Sequence, residues 1–373
     1  MKRRTFITGS LAAAGALAAS KVRPAKIADV KKYNSVQSPK IDAYCHFSTM
    51  GIIDFLEKES GRKPHVFRSL FANTPTLTDP FERLKMMDET GVDLSVLVPL
   101  PWLETAPPVH SDPEKCAAGA RLLNDEVAEI AGRHKDRLTF VALLPTTNPE
   151  IMVNELERGV KELRAKGGFY VVGPTVKRAD HQDYEALYKK AVELDVPLWM
   201  HPSRPPTYAD YIDEKISEFQ VWQTLSWLQD TSTAMVRMVF SGVFDRHPKL
   251  KVIIHHHGAL VPLFAQRMQY GWDYFEQNTG RKQPTEITRP YIDHFKKFYC
   301  DTATQGHEPL LLQIAYNFFG PDRMLFGSDA PMDATAGRAF TKDAIKSVEG
   351  MDVSDANKQK IYSGSAKKLL KIS

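Results

Sequence analysis

From Ile41 onward the chain repeats one unit: a short apolar run, then a longer segment whose apolar residues recur every three or four positions. The runs are IDAYCH (41–46), DLSVLV (93–98), LTFVALL (138–144), GFYVVG (168–173), VPLWMH (196–201), LKVIIHH (250–256), KFYCDT (297–302) and RMLFGSD (323–329). Segments such as PEKCAAGARLLNDEVAEIAGRH and PEIMVNELERGVKELRAKG carry the helical spacing between them. Eight strands, each followed by a helix, predict an α/β fold of the (β/α)8 TIM-barrel type over residues 41–373. Most runs are apolar throughout, as parallel strands covered on both faces must be. A doubly wound open sheet would want a glycine-rich phosphate turn after its first strand, and CHFSTMG supplies none.

A barrel makes strand ends informative, because sites in this architecture sit at the carboxyl face. His46 ends the first run, His201 the fifth, His256 the sixth and Asp329 the eighth. Together they would converge on one mouth. A divalent metal accepts neutral imidazole and carboxylate while keeping a position open for water or substrate. His46, His201 and Asp329 offer two nitrogens and an oxygen, enough for one zinc ion, or for manganese in a more oxygen-rich shell. The stretch VIIHHHGALVP poses a choice among three consecutive histidines. Strand alternation sets Val252, Ile254 and His256 on one face and His255 on the other; with His256 taken as the strand-end residue, its face is expected inward, His255 toward the helices and His257 at the start of the loop. His256 is therefore expected to act as general acid/base or to stabilise developing negative charge.

Composition narrows the partners. The chain of 373 residues has a formal net charge of +4 and no basic run interleaved with aromatics, so nucleic acid is not expected. Its three cysteines form no CxxC pair, and neither a disulfide framework nor a zinc knuckle is expected. The N-terminus, MKRRTFITGSLAAAGALAAS, joins Arg3, Arg4 and Phe6 to a weakly apolar stretch and a small-x-small pattern at Ala16-Leu17-Ala18. It resembles a twin-arginine export signal over residues 1–19, followed by a linker over 20–40; an uncleaved anchor or a cytosolic tail is the alternative. The expectation is a periplasmic or secreted enzyme without membrane association after signal removal.

IDAYCHF, ERLKMMDETGVDLSVL, PLWMHP, FDRHPKLKVIIHHHGALVPLFAQR, RMLFGSDAP and IYSGSAKKLL together resemble the amidohydrolase superfamily. Within it the likeness is to the branch of aminocarboxymuconate-semialdehyde and γ-resorcylate decarboxylases. The resemblance implies a metal-dependent-hydrolase barrel and a working histidine at His256, where the family has Ala-His-Gly-Gly. It also implies a share in proton transfer for Asp329. One departure stands out. The family opens with H-x-H or E-x-H, whereas this chain has Tyr44-Cys45-His46. Tyr44 could ligate as a phenolate, leave its place to water, or donate a hydrogen bond to substrate; a three-ligand site completed by water is preferred.

GFYVVGP lacks the lysine or glutamate that bridges two metals in related enzymes, so the resemblance implies a mononuclear site. The implied chemistry is non-oxidative decarboxylation of a small aromatic or unsaturated carboxylic acid. Hydrolysis of a lactone, ester or amide is the alternative, and a metal-poor binding protein the second. Arg204, just after His201, is a candidate for the substrate carboxylate. Arg267 matches a family arginine that in some members crosses a dimer interface, which implies a homodimer, though a salt bridge on the helix surface is as good a reading. The connection from His46 to Pro80 is a candidate lid. Trp199 is assigned to the barrel core, and residues 202–230, with Trp222 and Trp227, to helix packing or a pocket wall.

Overall fold

The computed structural model describes residues 36–63, 65, 67–280 and 287–372. The signal reading at 1–19 and residues 20–35 of the linker reading lie outside them. Residues 36–40 run along the barrel: Val36 packs into the core and its N–H donates to Glu349 Oε1.

Strands β1 (Ile41–His46), β2 (Leu94–Val98) and β3 (Leu138–Phe140) form one parallel ladder. β4 (Ala142–Leu143), β5 (Gly168–Val172), β6 (Leu198–Pro202), β7 (Val252–Ile254) and β8 (Tyr299–Cys300) form a second. The two join because residues 138–144 are a single stave: Val141 N–H donates back to Leu97 O, and Ala142 N–H forward to Gly167 O. Closure falls to the eighth apolar run, which forms no regular ladder. Leu325 N–H donates to Cys300 O, Ala43 N–H to Phe326 O and Asp329 N–H to Tyr44 O, so this run lies between β8 and β1. Gly327 permits the approach, since a Cβ there would come within 2.8 Å of the Asp301 Cβ and 2.9 Å of the Tyr44 Cβ.

The outer helices begin where the sequence dictates. Asp79-Pro80, Asp112-Pro113 and Asn148-Pro149 each place an Asx side chain to accept the next free N–H groups and a proline where no N–H is needed. Helix Pro113–Arg133 buries Cys116, Ala120, Leu123, Val127 and Ala131 along one stripe. Asn124 on that stripe clasps the Leu143 peptide, accepting from its N–H at 2.7 Å and donating to its C=O at 3.0 Å. Inside the barrel, Trp199 is fully buried and its Nε1–H reaches across to Ala43 O, a core role as expected.

Candidate metal centre

His46 stands at the end of β1, held by Arg83, a fully buried arginine whose guanidinium donates to the His46 carbonyl and to Thr76 O. Its Nδ1 faces the carbonyls of Val98 and Pro99 at 3.3 and 3.2 Å. Carbonyls only accept, so Nδ1 carries the proton and Nε2 keeps its lone pair. His201, ending β6, is fixed the same way, with Nδ1 2.5 Å from Pro202 O. Burial first, and then the neighbouring imidazoles, hold the His201 pKa well below its ordinary value, which keeps the ring neutral and ligand-ready. The rings of His46 and His201 lie 5.2 Å apart. His46 Nε2 is 3.1 Å from Asp329 Oδ1. Two donors sharing a tetrahedral zinc ion at its usual bond lengths sit about 3.3–3.4 Å apart. The pair therefore fits a metal between them, and backbone carbonyls behind both imidazoles are the customary outer support of such ligands.

Asp329 occupies a left-handed backbone position with φ 61°. Asp42 anchors that turn by accepting from the Ser328 N–H and hydroxyl at 3.0 and 2.5 Å, so it lies outside the site although it shares the face of Tyr44 and His46 by alternation. Burial raises the Asp42 pKa to about 6, against the hydrogen bonds from Ser328. Burial also opposes charge on Asp329, yet the neighbouring His255 and hydrogen bonds from His255, His256 and His46 outweigh it and hold that carboxyl well below the usual range. Gln305 Nε2 donates to Asp329 Oδ2 at 2.7 Å.

The histidine triplet corrects the expected register. Ile253 pairs with Trp199, whose side chain points inward, so the inward face of β7 is Ile253 and then His255. His255 lies inside the barrel and not toward the helices. Its Nδ1 meets Asp301 Oδ2, its Nε2 is 3.1 Å from Asp329 Oδ1, and its ring stacks on Tyr44 at 3.9 Å. Burial works against its cation, but Asp301 and Asp329 raise its pKa to about 9. The ladder ends at Ile254, so the two-residue period no longer governs the histidines. At His256 and His257 the backbone turns left-handed, with φ 56° and 48°, and this turn, not alternation, brings His256 Nε2 to 3.7 Å from Asp329 Oδ2. Nδ1 of His256 is buried without a hydrogen-bond partner among the described residues. Burial and then the His255 charge lower its pKa, and burial takes that of His257 down to about 4. Two groups of possible ligands emerge: His46, His201 and His255, and His255, His256 and Asp329, the atoms of each within 4.8 Å of one another.

The other candidates take other roles. Tyr44 is fully buried, and its hydroxyl donates to Met200 O at 3.1 Å. Burial, followed by Asp301 and Asp329, raises its pKa well above the ordinary value, and its proton is engaged by the Met200 carbonyl. The guanidinium of Arg204 is taken by Asp230, with bonds of 2.9 and 2.8 Å, and so does not offer its fork to a substrate. Arg267 is exposed on helix Val261–Thr279. Trp227 is a wall of the site, its ring 5.4 Å from His201 and 6.5 Å from His256. In the connection from His46 to Pro80, Phe47 is buried beneath Arg83 and Phe67 packs on Trp102. Sequence reasoning missed Asp301, Gln305, Arg83 and the inward His255. Asp301 was within reach, because it stands one residue before the end of the seventh apolar run, close to where the chosen residues end theirs.

The family model for amidohydrolases matches residues 41–372. The chain belongs to the amidohydrolase family. This amidohydrolase is 28% identical over 294 residues to a γ-resorcylate decarboxylase of Rhizobium radiobacter, covering 75% of this chain and 86% of the relative. It is 25% identical over 304 residues to the 2-amino-3-carboxymuconate-6-semialdehyde decarboxylase of Dictyostelium discoideum, covering 78% and 76%. Among solved structures, a dihydroxybenzoic acid decarboxylase from Polaromonas sp. JS666, with bound manganese and the inhibitor 2-nitroresorcinol, superposes with a TM-score of 0.71 at 27% identity. That match covers 90% of this amidohydrolase and 97% of the Polaromonas chain. The amidohydrolase is a barrel enzyme with donors for a single divalent metal.

Proposed function

We propose that this amidohydrolase is a metal-dependent non-oxidative decarboxylase of a small aromatic or unsaturated carboxylic acid. The observation that carries the proposal is the pair of tautomer-fixed imidazoles, His46 and His201, at the carboxyl face of the barrel, their rings 5.2 Å apart and His46 Nε2 3.1 Å from Asp329 Oδ1. Those three residues would hold the metal. When bound, it would offset the charge of the substrate carboxylate and of an adjacent oxygen. Zinc is the ion we assign to it, and manganese, found in the Polaromonas relative, is the competitor.

His256 carries the proton in this reading. The bond from the substrate carbon to its carboxylate breaks, carbon dioxide leaves, and the electron pair stays on the carbon until a proton replaces the lost group. The unpartnered Nδ1 of His256 supports its role in exchanging that proton, and an imidazolium formed there faces Asp329 Oδ2. Trp227, beside His201 and His256, supplies apolar surface that a ring would need. The test is a panel of hydroxybenzoic and unsaturated carboxylic acids given to the metal-loaded protein. Carbon dioxide released in step with substrate loss is expected; acid formed from lactones, esters or amides without carbon dioxide would replace the decarboxylase by a hydrolase.

Twin-arginine export and a homodimer are proposed alongside. The first is supported by Arg3, Arg4 and Phe6. The second is supported by helix Val261–Thr279, which exposes Leu263, Phe264, Tyr270 and Tyr274 around Arg267. Light scattering of the purified chain decides it, with the mass of two chains expected.

A further inference from the structure

We propose that His255 is a fourth metal ligand, oriented by Asp301, and that it stands in for the ligand that Tyr44 at the first strand does not provide. The inference rests on the metal site proposed at His46, His201 and Asp329 and deepens it. His255 Nε2 lies 3.1 Å from Asp329 Oδ1, the same separation that His46 Nε2 keeps from that oxygen. The Nε2 or Nδ1 atoms of His46 on β1, His201 on β6 and His255 just beyond β7 lie within 4.8 Å of one another, so three imidazoles come together in one cluster. All three are buried.

The outer support of His255 is what a ligand imidazole needs. Asp301 Oδ2 accepts from Nδ1, which leaves Nε2 for the metal and makes it more basic, the familiar carboxylate–imidazole–metal arrangement. Asp301 is itself fixed, since its Oδ1 accepts from the N–H groups of His257 at 3.1 Å and Ala303 at 3.0 Å. Asp301 is thus a positioning residue. Tyr44 completes the support from the other side: its ring lies flat on His255 with planes 5° apart, and its hydroxyl proton is committed to Met200 O. The phenol fills the space beside the imidazole and holds it in plane. Three imidazoles and one carboxylate make a nitrogen-rich shell, which suits zinc better than manganese.

The experiment is metal titration of the chelator-stripped full chain with zinc and with cobalt as a spectroscopic probe, in the wild type and in His255→Ala, Asp301→Asn, Tyr44→Phe and His201→Ala. His255→Ala is expected to weaken zinc binding at least 100-fold and to change the visible cobalt spectrum. Asp301→Asn should weaken it by about 10–100-fold, the usual effect of removing an outer-shell carboxylate, with the melting temperature of the metal-free protein preserved. Tyr44→Phe should bind as the wild type does. Wild-type affinity and an unchanged cobalt spectrum in His255→Ala, with binding lost in His201→Ala, would overturn the role of His255 and leave the three-residue site standing. Failure of the wild type to bind either metal would overturn both. Should His255→Ala not fold, zinc-edge X-ray absorption of the wild type counts the ligands directly: three imidazoles uphold the inference and two refute it.

Discussion

The phenol of Tyr44 and the imidazole of His255 stack with centroids 3.9 Å apart inside the barrel, one ring from β1 and the other from just beyond β7. Each ring is pinned by a separate partner, Met200 O for the tyrosine and Asp301 with Asp329 for the histidine. Replacing Tyr44 by phenylalanine keeps the ring and removes the hydroxyl. Metal content should stay the same, while loss of the hydrogen bond to Met200 O costs about 1 kcal/mol of stability, read from denaturant unfolding. Loss of metal from Tyr44→Phe would make the phenolate a ligand after all.

Nδ1 of His256 is buried without a hydrogen-bond partner among the described residues. His256→Asn should lower kcat by about 100-fold or more, the usual effect of losing an acid/base group, with bound metal retained by elemental analysis. If kcat is preserved, the proton passes through another group, and Asp329 becomes the first to examine.

Glu104 predicts a pH dependence of stability away from the centre. Its side chain is buried, with Thr146 Oγ1 at 3.4 Å, His110 Nε2 at 3.8 Å, Cys116 and Tyr184 close enough to feel its charge, and Oε2 without a partner among the described residues. Burial raises its pKa to about 7. The folded state therefore holds a proton that the unfolded chain releases near pH 4.5, and stability falls as pH rises from there through about 7. Glu104→Gln should match the wild type at pH 4 and exceed it at pH 8 by on the order of 2 kcal/mol, as compared by thermal unfolding at both pH values. An equal gain at both would trace the effect to packing.

Arg204 and Asp230 form a two-bond ion pair that also carries a wall of the site, because the Arg204 carbonyl accepts from Trp227 Nε1 at 2.9 Å. Lysine cannot reproduce the fork. Arg204→Lys should cost about 1–2 kcal/mol and shift the tryptophan emission, with KM rising more than kcat falls. An unchanged KM would separate Trp227 from substrate binding.

For the proposed export signal, changing Arg3 and Arg4 together to lysine should retain folded protein in the cytoplasm, as followed by cell fractionation. Normal export of that double variant would remove the twin-arginine reading.

The sequence by itself determined the barrel and put three candidate donors, His46, His201 and Asp329, at the ends of its apolar runs. Strand and helix periods are local properties of hydrophobic spacing, and Asx-Pro pairs mark helix starts within a few residues, so the order of elements is legible without a fold. His46 and His201 were legible because each ends a run that forms a continuous ladder, and Asp329 because the eighth run ends at the barrel mouth although it closes by single hydrogen bonds. The triplet at residues 255–257 was not. Alternation assumes that the ladder continues, but it stops at Ile254, and the inward face is set by pairing with Trp199 on β6, a relation between residues far apart in the chain. Only the tertiary structure could turn His255 inward, bring Asp301 against it and lay Tyr44 on its face. These contacts depend on which strands become neighbours around a closed barrel, and no local period carries that information.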